Sequence, residues 1–369
     1  MNVSRKQLTQ APIVLEPNRV WRFYDGGKMI DRFKGLANPK DSLFPEEWVG
    51  SCVQATNPGE HFKKGEGLAI IGSGVSEPVS LKSLIEQFPE EMLGPRHVKT
   101  HGANPAMLVK LLDAAIRLII HAHPTKEFAR THLNDCFGKT EAWFVLETRS
   151  EVADPYVLIA FKDEVSRPRY KDMMLKNNID EMMRVMHRVP VKAGDVVYVK
   201  AGVPHAIGEG IFMVELQEPS DYSIILEQTC PAYTFRQEEC YLGLDPDTTL
   251  SVIDHRVYTP DEVRQELVIK PKVIRKDAES AEVQLLGYDT TECFAGHRLD
   301  VKTSFSDTTD GRGSILIVLD GEGKLVHNRG EIPLKRGVEL FVPAAVGTHE
   351  FLAPKGLTVF KCLPAQVQA

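Results

Sequence analysis

The sequence predicts a mainly β protein of two related jelly-roll domains, with helical insertions in the first. Two observations predict it. Short apolar runs of β-branched and aromatic residues recur between Gly, Pro and Asp turns, the pattern of a β-sandwich or barrel. The chain also repeats itself. Residues 190–205 read PVKAGDVVYVKAGVPH and residues 333–348 read PLKRGVELFVPAAVGT, identical at six of sixteen positions at an offset of 143. A Gly turn followed by an apolar strand in both copies points to two domains of one kind. We expect them at about residues 11–235 and 280–365, with 236–279 as a linker.

Along the chain, Ser80 to Phe88 opens on a Ser cap and predicts a helix. Pro124 and Thr125 open a second, short amphipathic helix running to Leu133. A strand is expected over Ala142–Leu146. Tyr170 to Arg188 is rich in Met, Leu, Lys and Glu and lacks Gly and Pro, which predicts one or two helices inserted between strands. Strands follow at Asp195–Val199 and Ile211–Glu215. In the linker, Thr259-Pro-Asp-Glu predicts a capped helix. The second domain shows strands at Ser314–Val318 and Glu339–Val342.

The 369 residues carry 44 Lys plus Arg against 51 Asp plus Glu, a formal charge of −7. That balance argues against a partner that is nucleic acid or a membrane surface. No apolar run approaches the roughly 20 residues that cross a bilayer, and the N-terminal residues do not read as a secretory signal. Six scattered cysteines without a CxxC pair fit free thiols in a reducing compartment, so the expected location is cytoplasmic.

The densest chemical signal is His121-Ala-His123-Pro, followed by Glu141 and then His205. His121 and His123, two apart on a strand, share one face. Glu141 precedes one strand, and His205 follows a Gly-Val-Pro turn. Three imidazoles and a carboxylate converging from separate segments supply the donors a divalent metal needs. The spacing HxH, Glu, then Gly194, Gly202 and His205, matches the two-part cupin motif. In the second copy Thr348 stands where His205 would be and Ser314 where Glu141 would be, so only the first domain is expected to hold the metal. The remaining histidines lack partners at ligand spacing.

The runs Leu108 to Ala129, Gly138-Lys-Thr-Glu141 and Gly202 to Gly210 resemble type I mannose-6-phosphate isomerases. Gly26-Gly27, Pro45-Glu-Glu-Trp48 with Ser51, and Leu93-Gly94 support the resemblance, which covers about residues 18–230 by motif and the remainder by fold alone. It implies a double cupin that binds zinc in its first half and interconverts an aldose and a ketose, with a small sugar or sugar phosphate as partner. Carried over, the metal ligands are His121, His123, Glu141 and His205. Members usually have Gln where this chain has His121. That change leaves zinc as the implied cofactor while also suiting iron, manganese, nickel or cobalt. The resemblance implies that Lys139 faces the substrate oxygens and that Glu215 handles the proton or orients the open-chain sugar. One position departs. Members carry an Arg four residues after the Asp of Ser220-Asp221, where this chain has Ile225. Arg22, Lys110 and Arg117 are cations of suitable type to replace it.

Three other readings stay open at this stage: an isomerase of an unphosphorylated sugar, an iron cupin dioxygenase, and a sugar-binding protein that kept the metal without chemistry. Oligomeric state is not legible.

Overall fold

A computed structural model of the chain describes residues 4–72 and 77–367. The mainly β, two-barrel architecture expected from the sequence is the one it adopts. In the first barrel, a seven-stranded antiparallel sheet runs in the order Val268–Ile269, Val196–Val199, Glu141–Thr148, Ile211–Gln217, Leu108–Ala114, Glu46–Val49 and Arg19–Val20. A five-stranded sheet faces it, in the order Met186–Pro190, Tyr156–Phe161, His205–Ile207, His121–Ala122 and Ile224–Ile225. Leu112, Trp143, Val145 and Met213 from the first sheet meet Val157, Ile159 and Ile207 from the second to fill the space between.

The long strands of the seven-stranded sheet are buried on both faces. Alternation explains this. Lys110 and Leu112 point into the barrel, while Val109 and Leu111 join Phe144, Val214 and Leu216 on the opposite face. That outer face packs on Phe294, Ile315, Ile317, Phe341 and Phe360 of the second barrel, making one apolar seam. The approach is close. A Cβ on Gly296 would lie 2.7 Å from Cζ of Phe144.

The second barrel is built on Ser314–His327, Leu357–Leu363 and Ala295–Val301, and encloses Leu299, Phe305, Phe351 and Val359. Three strands cross the division expected from the sequence. Ile13–Val14 pairs with the Glu339–Val342 strand of the second barrel. Val268–Ile269, expected in the linker, extends the first barrel beside Val196–Val199. Lys272–Asp277, also expected in the linker, forms an edge of the second barrel against Ser280–Leu286.

The helical expectations differ in one place. Arg167–Leu175 and Ile179–Arg184 are helices, but Met186–Pro190 is a strand that pairs with Tyr156–Phe161. Asn177, at φ 48°, turns the chain between the two helices. Among the described residues no helix is long and apolar enough to cross a membrane, and all six cysteines are free.

The seam also holds charge. Glu47 and Glu339 come from different barrels, with side chains at most 2% exposed. Both lean on one cation: Nζ of Lys34 lies 2.9 Å from Oε1 of Glu47 and 2.6 Å from Oε1 of Glu339. Burial, then the neighbouring Glu47, pushes the Glu339 carboxyl up to about 8, against the pull of Lys34.

Candidate metal centre

His121 and His205 face each other across adjacent strands of the five-stranded sheet. His123 follows one residue past the end of the His121–Ala122 strand. Ligand nitrogens of the three lie within 4.8 Å of one another, and His123 and His205 are fully buried. Glu141 enters from the opposite sheet. Its Oε1 is 2.8 Å from Nε2 of His123, and its Oε2 is 3.8 Å from Nε2 of His205. The structure thus brings together all four residues expected to ligate, with Glu141 at one side of the histidine cluster.

Hydrogen bonding fixes how the imidazoles point. Nδ1 of His121 donates to the Ile119 carbonyl at 2.9 Å, Nδ1 of His123 to that of Tyr222 at 2.8 Å, and Nδ1 of His205 to that of Val203 at 2.8 Å. A carbonyl oxygen only accepts, so each Nδ1 carries the proton and each Nε2 presents a lone pair. Those lone pairs converge. Nε2 of His121 and of His205 are 3.1 Å apart, and Nε2 of His123 faces a carboxylate oxygen. Burial, the largest influence, pushes all three imidazoles down, His123 to about 3, so protonation does not relieve the opposition. The Lys139 ammonium reaches the His123–Glu141 contact, but the opposed lone pairs of His121 and His205 are unfavourable unless a cation sits between them. The donor set, three neutral imidazoles and a carboxylate, fits a divalent metal.

From this cluster a ladder of alternating charge runs across the seven-stranded sheet. Nζ of Lys139 lies 3.1 Å from Oε1 of Glu141 and 3.3 Å from Nε2 of His123. The indole N–H of Trp143 bridges Glu141 and Glu215, at 3.1 and 3.4 Å. Glu215 pairs with Lys110 at 2.9 Å, and Lys110 lies 3.7 Å from Glu46. Arg22 binds Glu46 at 3.1 Å and Asp221 at 2.9 Å, and donates to Asn57. The polar residues alternate with apolar ones along each strand, so all of them share the inward face.

The two carboxyls inside the ladder diverge. Burial favours the neutral form of both. At Glu46, Arg22 and Lys110 overcome burial and bring the pKa to about 2. At Glu215, burial and then the charge of Glu141 prevail over Lys110 and raise it to about 7.

Arg22, Glu46, Lys110, Lys139, His121 and Glu215 line one cavity of about 640 Å³. Ile225 lines it too, next to His121 in register. Of the three cations considered as substitutes for the arginine absent at Ile225, Arg22 and Lys110 therefore reach the cavity. Arg117 does not line it and forms a two-pronged pair with Glu227 instead. His132, given no role from the sequence, stands exposed at the cavity rim. Sequence reasoning also gave no role to Glu46, Trp143 or Asn57. The spacing Glu46-x-Trp48 was the available signal, since it puts both side chains on one strand face.

The family model "Mannose-6-phosphate isomerase, cupin domain" matches residues 286–352. The mannose-6-phosphate isomerase ManA of Bacillus subtilis is 25% identical over 362 residues, covering 92% of this chain and 95% of the relative. The mannose-6-phosphate isomerase of Streptococcus mutans is 25% identical over 294 residues, covering 77% and 81%. The crystal structure of the Bacillus subtilis mannose 6-phosphate isomerase superimposes with a TM-score of 0.74 at 19% identity, covering 96% of this chain and 99% of that one. A putative mannosephosphate isomerase from Archaeoglobus fulgidus gives 0.71 at 19%, covering 96% and 98%, so the fold is common to both. Over most of its length the chain is thus similar to mannose-6-phosphate isomerases at about a quarter identity, and it shares the fold of those solved structures.

Proposed function

We propose that the protein is a metal-dependent aldose–ketose isomerase interconverting mannose 6-phosphate and fructose 6-phosphate. The observation that carries the reading is the meeting, in one cavity, of a lone-pair cluster fitted to a cation with Lys139 and Glu215. The names of the relatives support the substrate.

Isomerisation moves a proton between C2 and C1 and shifts the carbonyl. A divalent metal, when held by His121, His123, His205 and Glu141, supplies Lewis acidity toward the sugar oxygens. Glu215, at about 7, exists in both forms near neutral pH. Its carboxylate takes the proton from C2 of the open-chain aldose, and its carboxyl returns it to C1 of the enediol. A second proton passes from O2 to O1, and the Lys139 ammonium holds the oxygen between which it moves. Lys110 keeps Glu215 in place at 2.9 Å. The apolar wall opposite, with Leu118, Ile119 and Ile207, excludes water from the reacting carbons.

Zinc is the metal we propose, since the donor set suits it; elemental analysis of the purified protein separates it from iron, manganese, nickel and cobalt. Six free cysteines support a cytoplasmic location. The test is to supply mannose 6-phosphate to the metal-loaded protein in deuterated water. Fructose 6-phosphate should form, with exchange of the C2 proton. The absence of both product and exchange would overturn the proposal.

A further inference from the structure

The cavity divides into two walls of opposite character. One is the charge ladder. The other is apolar: Leu118, Ile119, Ile207, Ile225, Phe235 and Leu242. A phosphate dianion moved from water into such a space requires cations whose charge is not already matched. The ladder contains none. Arg22 is held between Glu46 and Asp221, Lys110 between Glu215 and Glu46, and Lys139 against Glu141. Three cations thus face four carboxyl groups, Glu46, Glu141, Glu215 and Asp221, so no positive charge is left over. The charge of a bound metal lies at the histidine end, where the reacting oxygens must sit. Ile225, beside His121, adds only methyl groups to the lining where an arginine would have added a charge. The basic side chain left over, His132, stands exposed at the rim.

We propose that this cavity takes the unphosphorylated hexose about as well as its 6-phosphate, so that free aldohexoses are substrates alongside the phosphosugar. The proposal rests on the isomerase reading for its chemistry, and on the charge pairing alone for its selectivity. A charge-assisted contact to phosphate from a free arginine contributes about 10- to 150-fold in affinity. Without one, the two sugars should differ by less than about tenfold.

The experiment is calorimetric binding of mannitol and mannitol 6-phosphate, which cannot react, to metal-loaded and metal-stripped protein. It is paired with kcat/KM for mannose and mannose 6-phosphate on the loaded enzyme. Affinities within about tenfold, with kcat/KM values in a similar ratio, are the expected result. Ile225→Arg should raise preference for the phosphorylated alditol, and Ile225→Met should leave the ratio unchanged. Should the arginine variant fail to fold, the wild-type ratio decides. Binding of mannitol 6-phosphate more than about 100-fold tighter than mannitol would overturn the proposal. So would turnover of the phosphosugar with a preference of that size, although the isomerase reading would then stand. Equal binding of both alditols with turnover of neither sugar would overturn the isomerase reading and support the charge argument.

Discussion

Replacing Glu339 by Gln should change how the stability of the protein responds to pH. In the folded chain the Glu339 carboxyl is raised from 4.5 to about 8 by burial and by Glu47. Between those values the folded protein holds a proton that the unfolded chain has released. Stability from this group is therefore complete below about 4.5 and is lost as pH rises to about 8. The slope is at most about 1.4 kcal/mol per pH unit. Over the window from 4.5 to about 8 the ceiling is about 5 kcal/mol, reduced by any relaxation that admits water. In a chain this long that corresponds to a fall in Tm of roughly 1–2 °C per kcal/mol. Gln mimics the protonated carboxyl and cannot ionise. Near pH 5 the variant and the wild type should melt together; by pH 8.5 the variant should melt several degrees higher. Calorimetric melting at matched metal content, read as the difference between the two proteins, isolates the seam from other titrating groups. A difference that stays constant across the range would refute the idea that Glu339 holds a proton there.

Three other outcomes follow from the geometry. His205→Ala removes one of the converging Nε2 lone pairs, and elemental analysis should find metal content reduced at least tenfold together with activity. Glu215→Gln keeps the shape of the cavity but removes the proposed proton carrier, so kcat should fall about 10²- to 10⁴-fold with metal content unchanged. Gly296→Ala puts a methyl 2.7 Å from the Phe144 ring at the seam; unfolding measurements should register a loss of about 1–3 kcal/mol without a change in KM.

Much of the candidate metal centre was legible in the sequence because its residues sit in local patterns. His121 and His123 are two apart, and His205 closes a Gly-Val-Pro turn, so a spacing rule finds them. The ladder was not legible in the same way. Arg22, Glu46, Lys110 and Glu215 come from distant segments and become neighbours only through strand register, as in Glu215 opposite Lys110. Strand alternation also misleads where both faces are buried. Leu108–Ala114 contains Val109, Leu111 and Leu112 around a lysine, and only the second barrel explains why its outer residues are apolar. Tyr170 to Arg188 read as helical throughout because it lacks Gly and Pro. The break comes instead from Asn177 in a left-handed conformation, and pairing with Tyr156–Phe161 draws Met186–Pro190 into the sheet.

Glu46 and Glu47 stand back to back on a strand of four residues, one facing the cavity and the other the seam. A strand displaced by a single residue exchanges its faces. Here a slip in one direction would set Trp48 against Lys34 in place of Glu47, and in the other would set Pro45 in place of Glu46 against Arg22 and Lys110. Either slip leaves one group of buried charges unmatched, a penalty of several kcal/mol. The paired acids therefore proofread the assembly of the strand, and an error at either surface is reported at both.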